Sequence, residues 1–164
     1  MTAARFLKPG EIVLTERPGT ITTVLGSCVS VIVRDPLTSL SAMCHAMLPD
    51  SQAEPRNRHY PASYYVDAAV RRMLAEFDSR GLHSRRLEVA VIGGAALAGG
   101  RFAVGQGNVM SALKTLAELG LRPATLDVGG SNGRRLSFDT ATGELTSTSL
   151  GRVRPARTKA CSRS

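Results

Sequence analysis

The sequence predicts a single domain of the α+β class, and three observations support this prediction. The length of 164 residues fits one compact domain. Short runs of β-type residues number seven or eight and outnumber the two helical patterns. These runs do not alternate strictly with the helices, whereas a doubly wound α/β fold would require such alternation.

Four of the β-type runs occur in the first fifty residues, and turn signals separate them. Pro18-Gly19 and Asp35-Pro36 each mark a turn. Gly26-Ser27 interrupts a β-branched stretch just before Cys28, where the sequence begins to alternate as a buried strand does. The predicted strands cover 11–15, 21–25, 28–33 and 40–48.

The first helix is predicted from a stripe of apolar side chains that recur at the spacing of one helix face. The members of this stripe are Val66, Ala69, Val70, Met73, Leu74 and Phe77. Ser63 is the expected N-cap, and Gly81 is the expected residue just beyond the C-terminal end.

The second helix is predicted to begin near Asn108 and to end at Gly120. A glycine-rich segment, 97–107, precedes it, and a polar loop, 50–62, precedes the first helix. Four further strands are expected before and after the second helix. They cover 87–92, 124–128, 136–138 and 144–150.

The positive charge of the chain is concentrated at its C-terminus. The net charge is +8, and residues 151–164 contribute five Lys or Arg and no acid. Because this segment lacks apolar periodicity, we predict a folded domain over 1–150 and a basic, disordered tail over 151–164. The tail is interpreted either as a solvated segment or as a contact for an acidic partner or an anionic surface.

Composition also excludes several function classes. Aromatic residues make up only 4% of the chain, so nucleic-acid binding by base stacking is not expected. No stretch has the roughly 20 apolar residues of a membrane-spanning helix, and the N-terminus lacks the apolar core of a secretory signal. We therefore expect a cytoplasmic protein without membrane insertion, in which the three cysteines are reduced thiols.

Cys28 and His45 are the candidate reactive groups. Glycine at position 26 permits a sharp turn before Cys28, so that N–H groups near Gly26 and Ser27 can form an oxyanion hole. A hairpin through Asp35-Pro36 would bring His45 close to Cys28, as a thiol–imidazole pair requires. From the residues alone, a buried inert thiol is the favoured interpretation at 28, and a core histidine remains an open interpretation at 45.

Metal and nucleotide sites are not supported by the sequence. The candidate ligands Cys28, Cys44, His45 and His59 lack the close pairs of zinc sites. Cys44 and His45 would also face opposite sides of a strand, so Cys44 is interpreted as packing. The glycines between 93 and 107 form neither a dinucleotide-binding fingerprint nor a P-loop. We therefore expect no metal and no cofactor.

Several short motifs follow one another between about residue 7 and residue 150. The two most specific are TTVLGSCV at 22–29 and HAMLP at 45–49. The others are YVDAA at 65–69, IGGA at 92–95, GNV at 107–109, DVGG at 127–130 and GR at 133–134. In this order they resemble the CheD family of chemoreceptor glutamine deamidases.

This resemblance implies a fold and a catalytic site. The implied fold is a β-sandwich-like core of mixed sheets with about two flanking helices. Cys28 matches the family's nucleophile and His45 its general base. Thr22 matches the threonine that assists the histidine, and Thr23 stands directly beside it.

The resemblance also implies a reaction and its partners. The reaction is the cysteine-dependent hydrolysis of glutamine side chains on methyl-accepting chemotaxis receptors, which is a protein-glutamine glutaminase activity. The same thiol chemistry permits hydrolysis of glutamyl methyl esters. A CheC-type phosphatase is a further implied partner, and we expect a monomer. One alternative is a regulatory module with weak catalysis that binds that phosphatase or a receptor. Another is a thiol protease or transglutaminase.

Overall fold

The computed structural model describes residues 3–52, 60–96 and 102–151, which contain nine strands and two α-helices. The strands are β1 (Ala3–Phe6), β2 (Ile12–Thr15), β3 (Gly19–Leu25), β4 (Val29–Arg34), β5 (Ser41–Cys44), β6 (Glu88–Gly93), β7 (Thr125–Val128), β8 (Arg134–Asp139) and β9 (Leu145–Ser149). The helices are α1 (Val66–Ser79) and α2 (Phe102–Glu118). The predicted α+β class is therefore confirmed.

The strands form two mixed sheets that pack face to face. One sheet has the strand order β1-β3-β8-β9, and the other has the order β2-β5-β4-β6-β7. Between the sheets, Ile21 and Phe138 of the smaller sheet pack with Ile32 and Met43 of the larger one. Both helices cover the other face of the larger sheet, so the layers are helices, five-stranded sheet and four-stranded sheet.

Strand β4 lies at the centre of the larger sheet and is buried on both faces. All six of its residues are buried, which explains why Val29 to Val33 form an almost continuous apolar run. The run pairs antiparallel with both β5 and β6. The strand that begins next to Cys28 is therefore buried on both faces and hydrogen-bonded along both edges.

Helix α1 begins later than its predicted cap. Ser63 lies within a 3-10 turn at Ala62–Tyr64, and Tyr65 is the N-cap residue, without a capping side-chain hydrogen bond. The first helical N–H, at Val66, instead donates to the carbonyl of Leu48 at 2.8 Å, so a neighbouring segment supplies the acceptor. Gly81 follows the helix with a φ of +72°, as predicted.

Helix α2 begins at Phe102, six residues before its predicted start. Gly105 and Gly107, predicted to precede the helix, therefore lie inside it. A Cβ at Gly105 would lie 2.4 Å from the carbonyl oxygen of Ala95, so this glycine allows the helix to pack directly on that backbone. The predicted glycine-rich segment at 97–101 lies outside the described residues, as do 53–59 of the predicted loop and 152–164 of the predicted tail.

Strand β1 is not among the predicted strands. It pairs parallel with β3 at the edge of the smaller sheet, and all four of its residues are exposed. An exposed edge strand needs no alternation of apolar and polar residues, so its sequence carries no period-2 signal. Within the described residues, neither helix has the length and apolar character that crossing a bilayer requires.

Candidate active site

Cys28 lies on the turn that carries the chain from one sheet to the other. Strand β3 ends at Leu25 and β4 begins at Val29, so Gly26-Ser27-Cys28 crosses the gap between the sheets. The thiol is half-buried and packs against the core between the sheets. The break at Gly26-Ser27 predicted from the sequence therefore lies at the edge of the sandwich.

The three carbonyl groups of this turn are all bonded to the body of the protein. Ala95 N–H donates to Gly26 and Gly94 N–H to Cys28, each at 2.9 Å, and Asn108 Nδ2 donates to Ser27 at 2.8 Å. The N–H groups of Gly26 and Ser27 donate to no acceptor in the described part of the chain, and the N–H of Cys28 interacts only with its own sulfur. The turn is thus fixed through its acceptors, and its donors are available to an incoming oxyanion.

His45 directly follows β5, the strand that pairs with the one beginning after Cys28, as the predicted hairpin requires. Strands β4 and β5 pair antiparallel, and beyond β5 the pairing continues with reciprocal bonds of 3.0 and 2.9 Å between Val29 and Ala46. This register makes Cys28 and His45 diagonal neighbours on one face of the sheet. No hydrogen bond joins the Cys28 thiol to the His45 ring within the described residues.

The neighbours of His45 show which way its ring points. Cys44 and Ala46 belong to the core beneath the helices, so His45 faces the space between the two sheets. It is 3% exposed there. Its ring Nδ1 lies 2.8 Å from the hydroxyl of Thr23, which belongs to the opposite sheet.

The threonine beside the histidine is Thr23, and the contact predicted for Thr22 is wrong. Along β3 the buried residues are Ile21, Thr23 and Leu25, so position 23 faces the larger sheet. Thr22 is half-buried and lies on the opposite face of the strand. The apolar residues at 21 and 25 were the signal that could have identified position 23, because alternate residues of a strand share a face.

The hydrogen bonds of Thr23 determine the tautomer of His45. The Thr23 hydroxyl has a single proton, and it donates this proton to the carbonyl oxygen of Leu7 at 2.7 Å. The hydroxyl must therefore accept from His45, which places a proton on Nδ1. Nε2 of the neutral ring then carries the lone pair that a general base uses.

Burial shifts both reactive groups toward their neutral forms. Desolvation raises the pKa of the Cys28 thiol, although its own backbone N–H partly opposes this. Desolvation also lowers the pKa of His45, against smaller opposing effects of the Leu7 carbonyl and the Glu11 carboxylate. Burial therefore favours the thiol and the neutral imidazole over the charged forms of the two groups.

Cys44 has a different environment from Cys28. It is completely buried beneath the helices, and its sulfur accepts the N–H of Val31 at 3.5 Å. Burial raises the pKa of Cys44 to about 11, which leaves almost no thiolate near neutral pH. Cys44 packs in the core and has no access to the face that Cys28 and His45 share.

Asn108 contacts the site, although sequence reasoning gave it no role there. It is completely buried on α2, on the same helix face as Ala112 and Leu116. A polar amide within a buried apolar stripe was the signal that could have singled it out. Within the described residues, no group of three or more His, Cys, Asp and Glu side chains could hold a metal ion.

A family model and several curated proteins match this chain. The model described as CheD chemotactic sensory transduction matches residues 47–149. A probable chemoreceptor glutamine deamidase CheD 2 of Geobacter sulfurreducens is 45% identical over 151 residues, which is 90% of this chain and 91% of that protein.

Relatives from two other organisms cover nearly as much of the chain. The chemoreceptor glutamine deamidase CheD of Thermotoga maritima is 35% identical, over 83% of this chain and 85% of its own length. That of Halalkalibacterium halodurans is 36% identical, over 78% of this chain and 82% of its own length. These matches extend along most of the folded region.

Proposed function

The chain belongs to the CheD family, as its motifs predicted, and on that premise we propose that it deamidates glutamine side chains of chemoreceptors. The observation that supports this proposal best is the placement of Cys28 and His45. They share one sheet face, and Thr23 holds the histidine in the tautomer of a general base. A protein that only bound receptors would need neither this tautomer nor the free N–H groups of the turn.

Formation of the thioester is the first step of the proposed reaction. His45 Nε2 takes the proton of the Cys28 thiol as the sulfur attacks the carbonyl carbon of the glutamine side chain. The carbonyl oxygen becomes an oxyanion, which the N–H groups of Gly26 to Cys28 stabilise. The imidazolium returns its proton to the departing nitrogen, so ammonia leaves and an acyl-enzyme remains.

Hydrolysis of the thioester is the second step. His45 accepts a proton from water, and the resulting hydroxide attacks the acyl carbon. The C–S bond breaks, the proton restores the Cys28 thiol, and the substrate leaves as glutamate. The products are ammonia and one new carboxylate for each glutamine, and the enzyme returns to its starting state without an oxidant or a cofactor.

Proton transfer during attack, rather than a preformed ion pair, is the mode that this environment favours. The pKa of Cys28 is raised and that of His45 lowered, so the thiolate–imidazolium pair is disfavoured at rest. The hydroxyl of Thr23 stabilises the imidazolium once it forms, since it accepts the Nδ1–H bond. Thr23 is therefore assigned as the orienting residue in place of Thr22.

The location, oligomeric state, second substrate class and regulatory partner are proposed from the same family membership. We place the protein in the cytoplasm and propose that it acts there as a monomer on the receptors. Glutamyl methyl esters are a second substrate class, since a thiolate displaces methanol by the same steps that displace ammonia. A CheC-type phosphatase is the proposed regulatory partner.

The decisive experiment compares two thiols of the same chain. Wild type, Cys28→Ala and Cys44→Ala are incubated with purified cytoplasmic fragments of the host's chemoreceptors. Released ammonia and the conversion of Gln to Glu in receptor peptides are then measured. We expect conversion by wild type and by the folded Cys44→Ala variant, and none by Cys28→Ala.

Two results would contradict the proposal in different ways. Conversion that persists in the Cys28→Ala variant would exclude the thioester mechanism. Tight binding of the receptor fragment by all three proteins, without ammonia release by any, would identify a binding module instead of a deamidase.

A further inference from the structure

Asn108 joins the two segments that carry Cys28 and His45. Its Nδ2 donates to the carbonyl oxygen of Ser27 at 2.8 Å and to that of Met47 at 3.1 Å. Ser27 directly precedes Cys28, and Met47 lies opposite Cys28 in the antiparallel register. One side chain from α2 therefore links the turn of the proposed nucleophile to the strand of the proposed base.

This link stands where the backbone ladder stops. After the bonded pair Val29–Ala46, the next bonded pair of an antiparallel ladder would be Ser27 and Leu48. However, Leu48 N–H donates to Tyr64 at 3.0 Å, and the Leu48 carbonyl accepts from Val66 at 2.8 Å. Backbone pairing thus ends at Val29, the residue that follows Cys28, and Asn108 supplies the connection on the Cys28 side of that pair.

Hydrogen-bond chemistry fixes the orientation of the Asn108 amide. Both carbonyl oxygens can only accept, so the NH2 group with its two donors must face them. This orientation leaves Oδ1 buried without a partner in the described part of the chain. An unpaired buried acceptor costs stability. The position therefore favours asparagine for its pair of donors, despite the unsatisfied acceptor.

We propose that Asn108 is a positioning residue, which sets the distance between Cys28 and His45 by holding Ser27 and Met47 together. The proposal rests on the proposed function, since it assigns a role to a side chain behind the same site. Asn108 is completely buried and has no surface for a substrate. Its removal should thus change the reactivity of the thiol and leave substrate binding unchanged.

Ser111 provides a matched control one turn along the same helix. Its hydroxyl donates to the carbonyl of Pro49 at 2.5 Å, so it also anchors α2 to the segment that follows His45. Within the described residues, its side chain makes no hydrogen bond to the Cys28 turn. Ser111→Ala therefore removes one anchor between helix and strand, and Asn108→Ala removes the bridge between nucleophile and base.

The test measures kinetics and thiol chemistry together. Asn108→Ala, Asn108→Ser and Ser111→Ala are assayed on the receptor fragments for kcat and KM. In a Cys161→Ser background, the rate of Cys28 alkylation by iodoacetamide is followed against pH by peptide mass spectrometry. We expect both Asn108 variants to lose about 10- to 100-fold in kcat with KM unchanged. The pH profile of alkylation should shift with kcat, whereas Ser111→Ala should stay close to wild type in both assays.

Each other outcome is informative. If Asn108→Ala alkylates and deamidates like wild type while Cys28→Ala is inactive, the positioning role is wrong and the proposed function stands. If both Asn108 variants fail to melt cooperatively, or lose no more activity than Ser111→Ala, Asn108 is a stability residue and the proposal is also overturned. If wild type releases no ammonia, the proposed function fails. The pH profile of Cys28 alkylation, compared between wild type and the Asn108 variants, then still tests whether Asn108 positions the thiol.

Discussion

At the scale of single residues, one hydroxyl determines the chemical state of His45. Thr23 donates to Leu7 and accepts from Nδ1, so the lone pair of the ring is left at Nε2. Thr22, one position earlier, faces the other side of β3. The two threonines are therefore a natural pair of comparable variants.

We expect Thr23→Val to lower kcat by about tenfold or more, because the imidazole loses the acceptor that fixes its tautomer and orientation. Valine has nearly the same shape, so the packing between the sheets should be retained. Thr22→Val, in contrast, should keep kcat within about twofold. Ammonia release from receptor fragments measures both. A reversed order, with Thr22→Val as the impaired variant, would show that the family's threonine acts through another contact.

At the scale of elements, α2 is positioned by a glycine at one of its turns. A Cβ at Gly105 would lie 2.4 and 2.8 Å from the carbonyl oxygens of Ala95 and Gly94, and Gly94 itself donates to Cys28. A Cβ at Gly107 would have only ordinary contacts, the nearest at 3.4 Å with Pro49. Two glycines of the same helix thus differ sharply in what surrounds them.

Gly105→Ala is expected to destabilise the protein by about 1–3 kcal/mol, because the helix must move away from the backbone of Gly94 and Ala95. Gly107→Ala should be neutral or stabilising by up to about 1 kcal/mol, since alanine is the better helix former. Urea unfolding followed by circular dichroism gives both values. Equal effects at the two positions would mean that α2 does not pack on this backbone.

At the scale of the whole molecule, the site and a group of charged residues occupy opposite ends of β4. Cys28 precedes the strand and Asp35 follows it, a separation of about 20 Å. Asp35 is completely buried and receives two bonds of 2.8 Å from Arg86. Nearby, Arg34 bonds the carbonyl of Ala141 at 2.9 Å, and so ties the larger sheet to the smaller one.

Stability at this end should therefore be separable from catalysis at the other. We expect Arg86→Met to lower the free energy of unfolding at pH 7, since the buried Asp35 carboxylate loses two charged hydrogen bonds. Because this substitution affects the end of β4 that is far from Cys28, kcat should be unchanged at temperatures well below the unfolding transition. Arg85→Met is the control, as Arg85 is exposed and its guanidinium has no partner within the described residues.

The same pair gives the stability a pH dependence with a defined sign. The Arg86 hydrogen bonds lower the pKa of Asp35 well below its usual range, against the opposing effect of burial. The resulting stability is fully present above the unfolded pKa of about 3.9 and is lost as the pH falls below it. The difference between wild type and Arg86→Met should thus shrink below about pH 4. A difference independent of pH would show that Asp35 does not carry the effect.

The sequence by itself determined the α+β class, the break before Cys28 and the hairpin that brings His45 beside it. These features depend on neighbouring residues: glycine at a turn, β-branched runs and a Pro-containing turn. It could not determine where α2 begins, because Gly105 is accommodated by contact with Ala95, a distant backbone. It left β1 unassigned because an exposed edge strand carries no period-2 pattern and is defined only by its pairing with β3.

The details of the site depended on the tertiary structure. Whether Thr22 or Thr23 reaches His45 is decided by which face of β3 meets the opposite sheet. The role of Asn108 depends on a ladder that ends next to Cys28, far away in sequence. Local patterns specify elements, whereas hydrogen bonds between layers specify which side chains meet.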